Sequence, residues 1–422
     1  MDLQGKRVAV IGLGKSGMAA YELLKVMGAQ VCLYDGKEDM EPLVRDVPVY
    51  LGSIPEEVIK NLDCAVFSPG VPLQIPVAHE LRKQSVPIIG EIELAWLSEK
   101  GIVIGITGTN GKTTTTTLTG EIVKAFNEQT FVVGNIGNPY TKEAGRTTEA
   151  SVTVAEISSF QLETIDTFRP RVSAILNLSP DHLNRHGTME NYINAKFDIT
   201  RNQTQEDLCV LNYEDEVLRE RAGKLPCRVA FFSSKRVLPG GLYQDTDKNI
   251  VDGATGKILM NMSESNIPGD HNCENIMAAI LMTRELGIPM DLILQTVKNF
   301  HAVEHRVEFV KTVDGVDYYN DSKGTNPDAA IKGIQSMSKP TVLIGGGYDK
   351  GGSYEEWIRA FDGRVKKLIL LGATKEKIAR TAEQLNFLDY EYAEDLETAV
   401  KRAAELSVSG DAVLLSPACA SW

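Results

Sequence analysis

Short apolar runs bounded by glycine, proline, asparagine or aspartate recur along the chain. Between them lie longer stretches in which apolar residues return every three or four positions. The first pattern predicts buried strands and the second amphipathic helices. Their alternation falls into three blocks. The first opens with 7-RVAVIGLGKSG-17, a helix pattern and the strand 30-QVCLYD-35, and runs to about 90-GEIELAWLSEKG-101. The second begins with 102-IVIGITG-108, includes 151-SVTVAEI-157 and 172-VSAILNL-178, and ends near 287-GIP-289 and the helix after it. The third starts around 301-HAVEHRVEF-309 and carries strands at 341-TVLIGGG-347, 367-KLILLGA-373 and 411-DAVLLSP-417. Alternating strands and helices predict an α/β protein of three domains, each an open, mainly parallel sheet with helices. The expected limits are residues 1–94, 95–299 and 300–422, and a chain of this length exceeds one ordinary core.

The apolar runs are of strand length, too short to cross a bilayer, and the opening MDLQGKR enters a strand without the apolar stretch of a secretory signal. A cytoplasmic protein is expected. Net charge is 44 − 57 = −13, which argues against non-specific binding to nucleic acid or anionic lipid. Phosphate ligands are still allowed, because local amides and single cations hold them. The cysteines Cys32, Cys64, Cys209, Cys227, Cys273 and Cys419 are scattered without metal-site spacing, so buried free thiols in a reducing compartment are expected.

The segment 102-IVIGITGTNGKTTTTTL-118 is a strand, a glycine-containing turn and a helix start. Gly108 and Gly111 let successive N–H groups turn towards one anion. Lys112 adds a charge for the β- and γ-phosphates, and the Thr113 hydroxyl suits Mg²⁺. The strict pattern G-x-x-x-x-G-K-[ST] is not met, because Ile106 stands five positions before Gly111. ATP is the predicted ligand. Glu156 ends its strand at the carboxyl edge, where ligands of open α/β sheets sit, and a carboxylate there suits Mg²⁺. Asp181 and His182 follow the next strand. The helix pattern 188-TMENYINAKFDIT-200, with Thr188 as N-cap and Glu190 in its first turn, carries Lys196. By itself Lys196 reads as a solvated helix lysine.

Strand RVAVI leads into 12-GLGKSG-17 and a helix, and Asp35 ends the next strand 18 residues after Gly17. This is a dinucleotide-binding fingerprint, and NAD in a dehydrogenase is one reading. A UDP-sugar offers the same diphosphate to the helix N-terminus, and beside an ATP site it is the favoured reading. A catalytically silent sensor of UDP-sugars or ATP is a third.

GTNGKTT (108–114), AEISSFQLE (155–163), NLSPDHLNRH (177–186), the lysine of YINAKFDI (192–199), GDHNCEN (269–275), EHRVE (304–308), NDSKGTNPDA (320–329) and LSPACAS (415–421) together resemble the Mur ligase family, in order and spacing, over essentially the whole chain. The resemblance implies ATP-dependent phosphorylation of a substrate carboxylate to an acyl phosphate, which the amine of an amino acid then attacks. It implies ATP contacts at Gly108, Thr109, Asn110, Gly111, Lys112, Thr113, Thr114, Asn272, Asn275, Arg306 and Asp321. Lys112, His182, Lys196 and Lys323 would be catalytic. Thr113 and Glu156 would hold one Mg²⁺ and His182 a second, with Lys196 contributing as a CO₂-derived carbamate. A first domain with G-x-G-x-S-G-x-A and SPGVP (68–72) resembles family members that add D-glutamate to UDP-N-acetylmuramoyl-L-alanine in peptidoglycan synthesis. A different Mur-type amino acid ligase is the nearest alternative. Gly14, Lys15, Ser16, Asp35 and Lys37 would then meet the uridine diphosphate and Asn135 the muramoyl part. Thr325, Lys350 and Ser421 would meet the carboxylates of D-glutamate. A monomer acting on small molecules is expected. The family continues past the position of Trp422 with an Asp-x-x-Phe-like segment and a terminal helix that help close the amino-acid pocket, so the final helix is expected to be missing and the 422 residues alone less active.

Overall fold

The computed structural model describes residues 1–41, 44–267, 269–301, 307–349 and 353–420. The three blocks build three sheets, each mainly parallel, as the alternation predicts. In the first, β1 (Arg7–Ile11), β2 (Gln30–Asp35), β3 (Val49–Leu51), β4 (Cys64–Phe67) and β5 (Ile88–Gly90) are all parallel in the order β3-β2-β1-β4-β5. Strand β1 has apolar residues on both faces. Val8 and Val10 enter one core and Ala9 and Ile11 another, so the run is continuous rather than alternating.

The second sheet has nine strands: β6 (Ile102–Thr107), β7 (Thr130–Gly134), β8 (Val152–Glu156), β9 (Val172–Ile175), β10 (Leu208–Asn212), β11 (Arg228–Ser233), β12 (Leu242–Gln244), β13 (Asn249–Asp252) and β14 (Lys257–Asn261). Their order is β14-β13-β12-β11-β10-β9-β6-β8-β7, parallel except for the antiparallel run β12-β13-β14. The third sheet, β15 (Glu308–Val313), β16 (Val316–Asn320), β17 (Thr341–Gly345), β18 (Val365–Leu370), β19 (Tyr390–Tyr392) and β20 (Ala412–Leu415), has the order β15-β16-β20-β17-β18-β19. Only its β15–β16 pair is antiparallel among the described residues.

The first two sheets belong to one compact unit, formed by Met1–Leu178, Glu190–Ser265 and Cys273–Asn299. The third sheet belongs to a second unit, with Ser179–Met189 and Asn266–Asn272. Within the first unit, the helix Glu91–Trp96 is the seam, with Glu91, Ile92, Glu93, Leu94 and Ala95 all buried. A polar seam of this kind stands only if its carboxylates are satisfied. Glu93 accepts N–H bonds from Asp166 (2.8 Å), Thr167 (2.8 Å) and Phe168 (3.0 Å). Glu91 accepts from the Thr141 N–H at 3.0 Å and from Gln161 Nε2 at 3.1 Å.

All six cysteines are buried and unbridged, as expected. No described helix is long and apolar enough to cross a membrane.

Candidate active site

Strand β6 delivers the chain to a four-residue turn, and the helix Lys112–Phe126 follows at once. Gly111 precedes that helix in the left-handed region (φ 83°), and no side chain caps the helix N-terminus. Its leading N–H groups have no partners within the helix, which suits an anion. A Cβ on Gly111 would stand 2.4 Å from Asn275 Oδ1, so the loop closes there only with glycine. Asn275 is itself buried, and its Oδ1 accepts from the Thr115 hydroxyl at 3.1 Å. Lys112 Nζ folds back onto the Gly108 and Thr109 carbonyls at 2.9 and 2.8 Å. Thr109 and Asn110 are buried, with the Thr109 hydroxyl 2.9 Å from Tyr192 OH. Thr113 is half-buried and Thr114 buried.

Glu156 closes β8, in register with Ile106 on one side and Gly134 on the other. The carboxylate is buried. Asn135 Nδ2 donates to Oε1 at 2.8 Å, and Oε2 has no partner. A buried carboxylate oxygen without a donor fits a hard cation. Among the described residues no three His, Cys, Asp or Glu side chains converge on one point.

Lys196 is where the residue-by-residue reading fails. It is not solvated: it is 1% exposed, its Nζ donates to the Gly108 carbonyl at 2.7 Å, and it stands 4.7 Å from the Tyr192 ring centroid. The helix Met189–Phe197 turns this position inward, with Tyr192 and Ile193 buried beside it.

In the first sheet, the helix Lys15–Val26 starts at Gly14, again without a side-chain cap. A Cβ on Gly17 would lie 1.9 Å from the Gly12 carbonyl oxygen, so the third glycine permits the helix to pack on the strand turn. Ser68 Oγ donates to that same carbonyl at 2.7 Å. Asp35 accepts the Leu13 N–H at 2.9 Å and the Lys37 N–H at 3.0 Å, and so shapes the glycine loop as well as bordering it. Ser16 is half-buried and Lys37 exposed. Lys15 Nζ donates to the Gly137 carbonyl at 2.8 Å, in the loop that also carries Asn135.

The second unit gathers a separate set. Asp181 Oδ1 accepts the His182 N–H at 2.9 Å, and His182 takes a left-handed backbone (φ 53°) that turns its ring back to within 3.6 Å of Asp181 Oδ2. Asn326 Nδ2 donates to Asp181 Oδ2 at 3.3 Å, and Asn326 also caps the helix Pro327–Gln335. These residues and Thr325 border a small cavity of about 30 Å³ that Tyr354 and Cys419 close. Asp321 is buried, accepting from Ser416 Oγ at 2.6 Å and from the Val307 N–H at 3.3 Å. Lys323 is exposed on the turn that follows, and Asn272 is half-buried near the start of the helix Asp270–Glu285. Arg306, Lys350 and Ser421 lie outside the described residues. Sequence reasoning did not single out Tyr192 or Tyr354, nor Asn177, whose Oδ1 accepts the Asn110 N–H at 2.8 Å, nor Thr374, whose Oγ1 accepts the Gly347 N–H at 2.9 Å. A lone Asn or Thr has no spacing signal that would have found it.

A phosphate loop beside a cation-ready carboxylate, on a parallel sheet, defines a nucleotide-dependent phosphoryl-transfer enzyme. The chain belongs to the Mur ligase family. The Mur ligase MurD-like N-terminal domain matches residues 6–90, the Mur ligase middle domain 106–283 and the Mur ligase glutamate ligase domain 305–419. A UDP-N-acetylmuramoylalanine–D-glutamate ligase of Lachnospira eligens is 51% identical over 430 residues, covering 100% of this chain and 96% of that protein. The enzyme of that name from Clostridioides difficile is 47% identical over 431 residues, with 100% and 95% covered. Among solved structures, the UDP-N-acetylmuramate-alanine ligase of Thermotoga maritima superposes with a TM-score of 0.62 at 20% identity, over 98% of this chain and 96% of that one. The MurF ligase of the same organism, in complex with ADP, gives 0.61 at 17% identity over 99% and 92%. These two likenesses concern the fold.

Proposed function

We infer that the chain joins D-glutamate to UDP-N-acetylmuramoyl-L-alanine with ATP, in the cytoplasm and as a monomer. The observation that carries this reading is 51% identity, over the whole chain, to a relative bearing that name. The buried, unpartnered Glu156 Oε2 beside the phosphate loop supplies its chemical basis. In the reaction, the γ-phosphoryl group passes from ATP to the substrate carboxylate, giving ADP and an acyl phosphate. The amine of D-glutamate attacks the acyl carbon, loses a proton, and phosphate departs.

Residues 1–94 would bind the UDP part through Gly14, Lys15, Ser16, Asp35 and Lys37, with Asn135 towards the muramoyl group. Residues 95–299 would bind ATP through the loop Gly108–Thr114 and Asn275, with Asn272, Arg306 and Asp321 completing its contacts. Residues 300–422 would receive the amino acid through Thr325, Lys350 and Ser421. Lys112 would swing from its two loop carbonyls to the phosphates, and Lys323 would meet the transferring group. Such transfer relies on positioning and charge neutralisation. Mg²⁺, held by Glu156 and Thr113 with a second ion at His182, would neutralise charge on the phosphates. A carbamate on Lys196 would turn that buried cation into an anionic oxygen ligand. Mass spectrometry of the enzyme with ATP and Mg²⁺ would find Lys196 unmodified if this last part is wrong.

The deciding assay is phosphate release from ATP with UDP-N-acetylmuramoyl-L-alanine and, in turn, D-glutamate, L-glutamate, L-alanine and L-lysine. Release with D-glutamate alone is expected. Release with another amino acid would move the protein to a different ligation, and none with any would overturn the reading.

A further inference from the structure

The phosphate loop is two residues shorter between its glycines than the strict pattern, and something must fix the peptide units of Thr109 and Asn110. Both point to one residue. The Asn110 N–H donates to Asn177 Oδ1 at 2.8 Å, and Asn177 Nδ2 donates back to the Asn110 carbonyl at 3.0 Å. The Thr109 N–H donates to the Asn177 backbone carbonyl at 2.9 Å. A side-chain amide that meets both polar groups of one residue's backbone has a single satisfactory orientation. One step earlier, the Leu176 N–H donates to the Thr107 carbonyl at 3.0 Å. The loop is therefore an extension of the β6–β9 ladder in which a side chain replaces a strand.

This pairing has a chemical consequence. The Thr109 and Asn110 amides are turned towards Asn177, so the anion-facing amides are those of the helix start at Gly111, Lys112 and Thr113. The clamp itself is fixed at its far end. The next residue, Leu178, donates its N–H to Asp215 Oδ2 at 2.7 Å, and Asp215 Oδ1 caps the helix Glu216–Arg221 through the Leu218 N–H at 3.1 Å. Burial raises the Asp215 carboxyl above its usual range, opposed by these N–H bonds.

We propose that Asn177 is a positioning residue that holds the phosphate loop in its anion-binding form before ATP arrives. The proposal rests on the ATP-dependent reading above. Pre-organisation of this kind raises affinity by removing the ordering that binding would otherwise require.

The test is equilibrium binding of Mg·ATP and, separately, of UDP-N-acetylmuramoyl-L-alanine to the whole enzyme and to Asn177→Ala and Asn177→Asp. The alanine removes both side-chain bonds. The aspartate retains the acceptor but sets an oxygen against the Asn110 carbonyl. Expected is a tenfold or greater loss of Mg·ATP affinity in both variants, with UDP-substrate affinity within twofold of wild type. Wild-type Mg·ATP affinity in Asn177→Ala, or an equal loss for both ligands, would overturn the proposal. Failure of the unaltered enzyme to bind Mg·ATP would instead overturn the functional reading. Should the variants not fold, amide hydrogen exchange on the unaltered, nucleotide-free enzyme decides. The Thr109 and Asn110 amides are expected to be protected, and exchange at the rate of an open loop refutes the clamp.

Discussion

Asn135 Nδ2 donates to Glu156 Oε1 at 2.8 Å, and the other oxygen of that carboxylate is buried without a partner. The amide therefore fixes the plane in which Oε2 is presented. Partners of this kind tune metal affinity by about 10–100-fold in other sites. Asn135→Ala is expected to raise the Mg²⁺ concentration for half-maximal ATP turnover by roughly that factor. A Mg²⁺ titration at saturating ATP measures it directly, and an unchanged midpoint would separate Asn135 from the metal. Because Asn135 is also proposed to meet the muramoyl part, the Michaelis constant for the UDP substrate should be followed in the same series.

Lys112 Nζ is held by the Gly108 and Thr109 carbonyls of its own loop. Its charge is expected to matter when negative charge spreads over the transferring phosphoryl group. Lys112→Ala should lower turnover by about 10²–10³-fold or more, the scale on which single stabilising donors act. UDP-substrate affinity should change little, because the UDP site proposed at Gly14 and the helix after it lies on the first sheet. Calorimetric binding of the UDP substrate to the variant checks the second half, and an equal loss of both would contradict the division of labour between the domains.

Much of this was legible in the sequence, for identifiable reasons. All eight strands expected from apolar runs are present, because a parallel strand buried on both faces reads as an unbroken run, as in VAVI of β1 or VTVAE of β8. The hairpin strands β13 and β14 were not foreseen. NIVD and KILMN mix lysine, asparagine and aspartate with apolar residues, and an edge that is only part-buried needs no long run. The glycine loops were legible because Gly12, Gly17 and Gly111 stand where a Cβ would collide with neighbouring atoms. Lys196 was not, since burial of a helix lysine depends on which face the tertiary fold covers. Asn177 was hidden for the same reason, as its partner is 67 residues away.

In the second unit, Thr374 links the two loops that lead towards the amino-acid contacts proposed at Lys350 and Ser421. Its Oγ1 accepts the Gly347 N–H at 2.9 Å and lies 3.2 Å from Cys419 Sγ, and the Tyr348 N–H donates to the Ala420 carbonyl at 2.9 Å. Thr374→Val keeps the shape and leaves the Gly347 amide without its acceptor, a loss of about 1–2 kcal/mol. If that strain is relieved by movement of the loops, the Michaelis constant for D-glutamate should rise roughly tenfold, since 1.4 kcal/mol is a factor of ten in affinity. The constant for ATP should hold. Steady-state kinetics with each substrate varied in turn tests this. A parallel rise for ATP and D-glutamate would mean a general loss of structure, and Thr374→Ser, which restores the hydroxyl, should recover the amino-acid constant.

Glu91 gives the fold a pH dependence of defined sign. Burial pushes its carboxyl above the usual range, and the bonds from Thr141 and Gln161 oppose that only in part. A carboxyl with a raised folded pKa binds its proton more tightly in the folded protein than in the unfolded chain. Its contribution is therefore fully present below the ordinary glutamate value of about 4.3 and is lost as pH rises through the folded value. Glu91→Gln is neutral throughout and removes this dependence, while changing one hydrogen bond by an amount that does not vary with pH. The stability of the unaltered protein relative to Glu91→Gln should therefore be greatest near pH 4, fall as pH rises, and level off once the folded carboxyl has ionised. Denaturant or thermal midpoints of both proteins, taken in half-unit steps from pH 4 to 8, give the difference directly, with other titrating groups cancelling. A difference that stays constant over that range would mean that Glu91 ionises normally within the seam, and that its amide partners outweigh the burial that surrounds it.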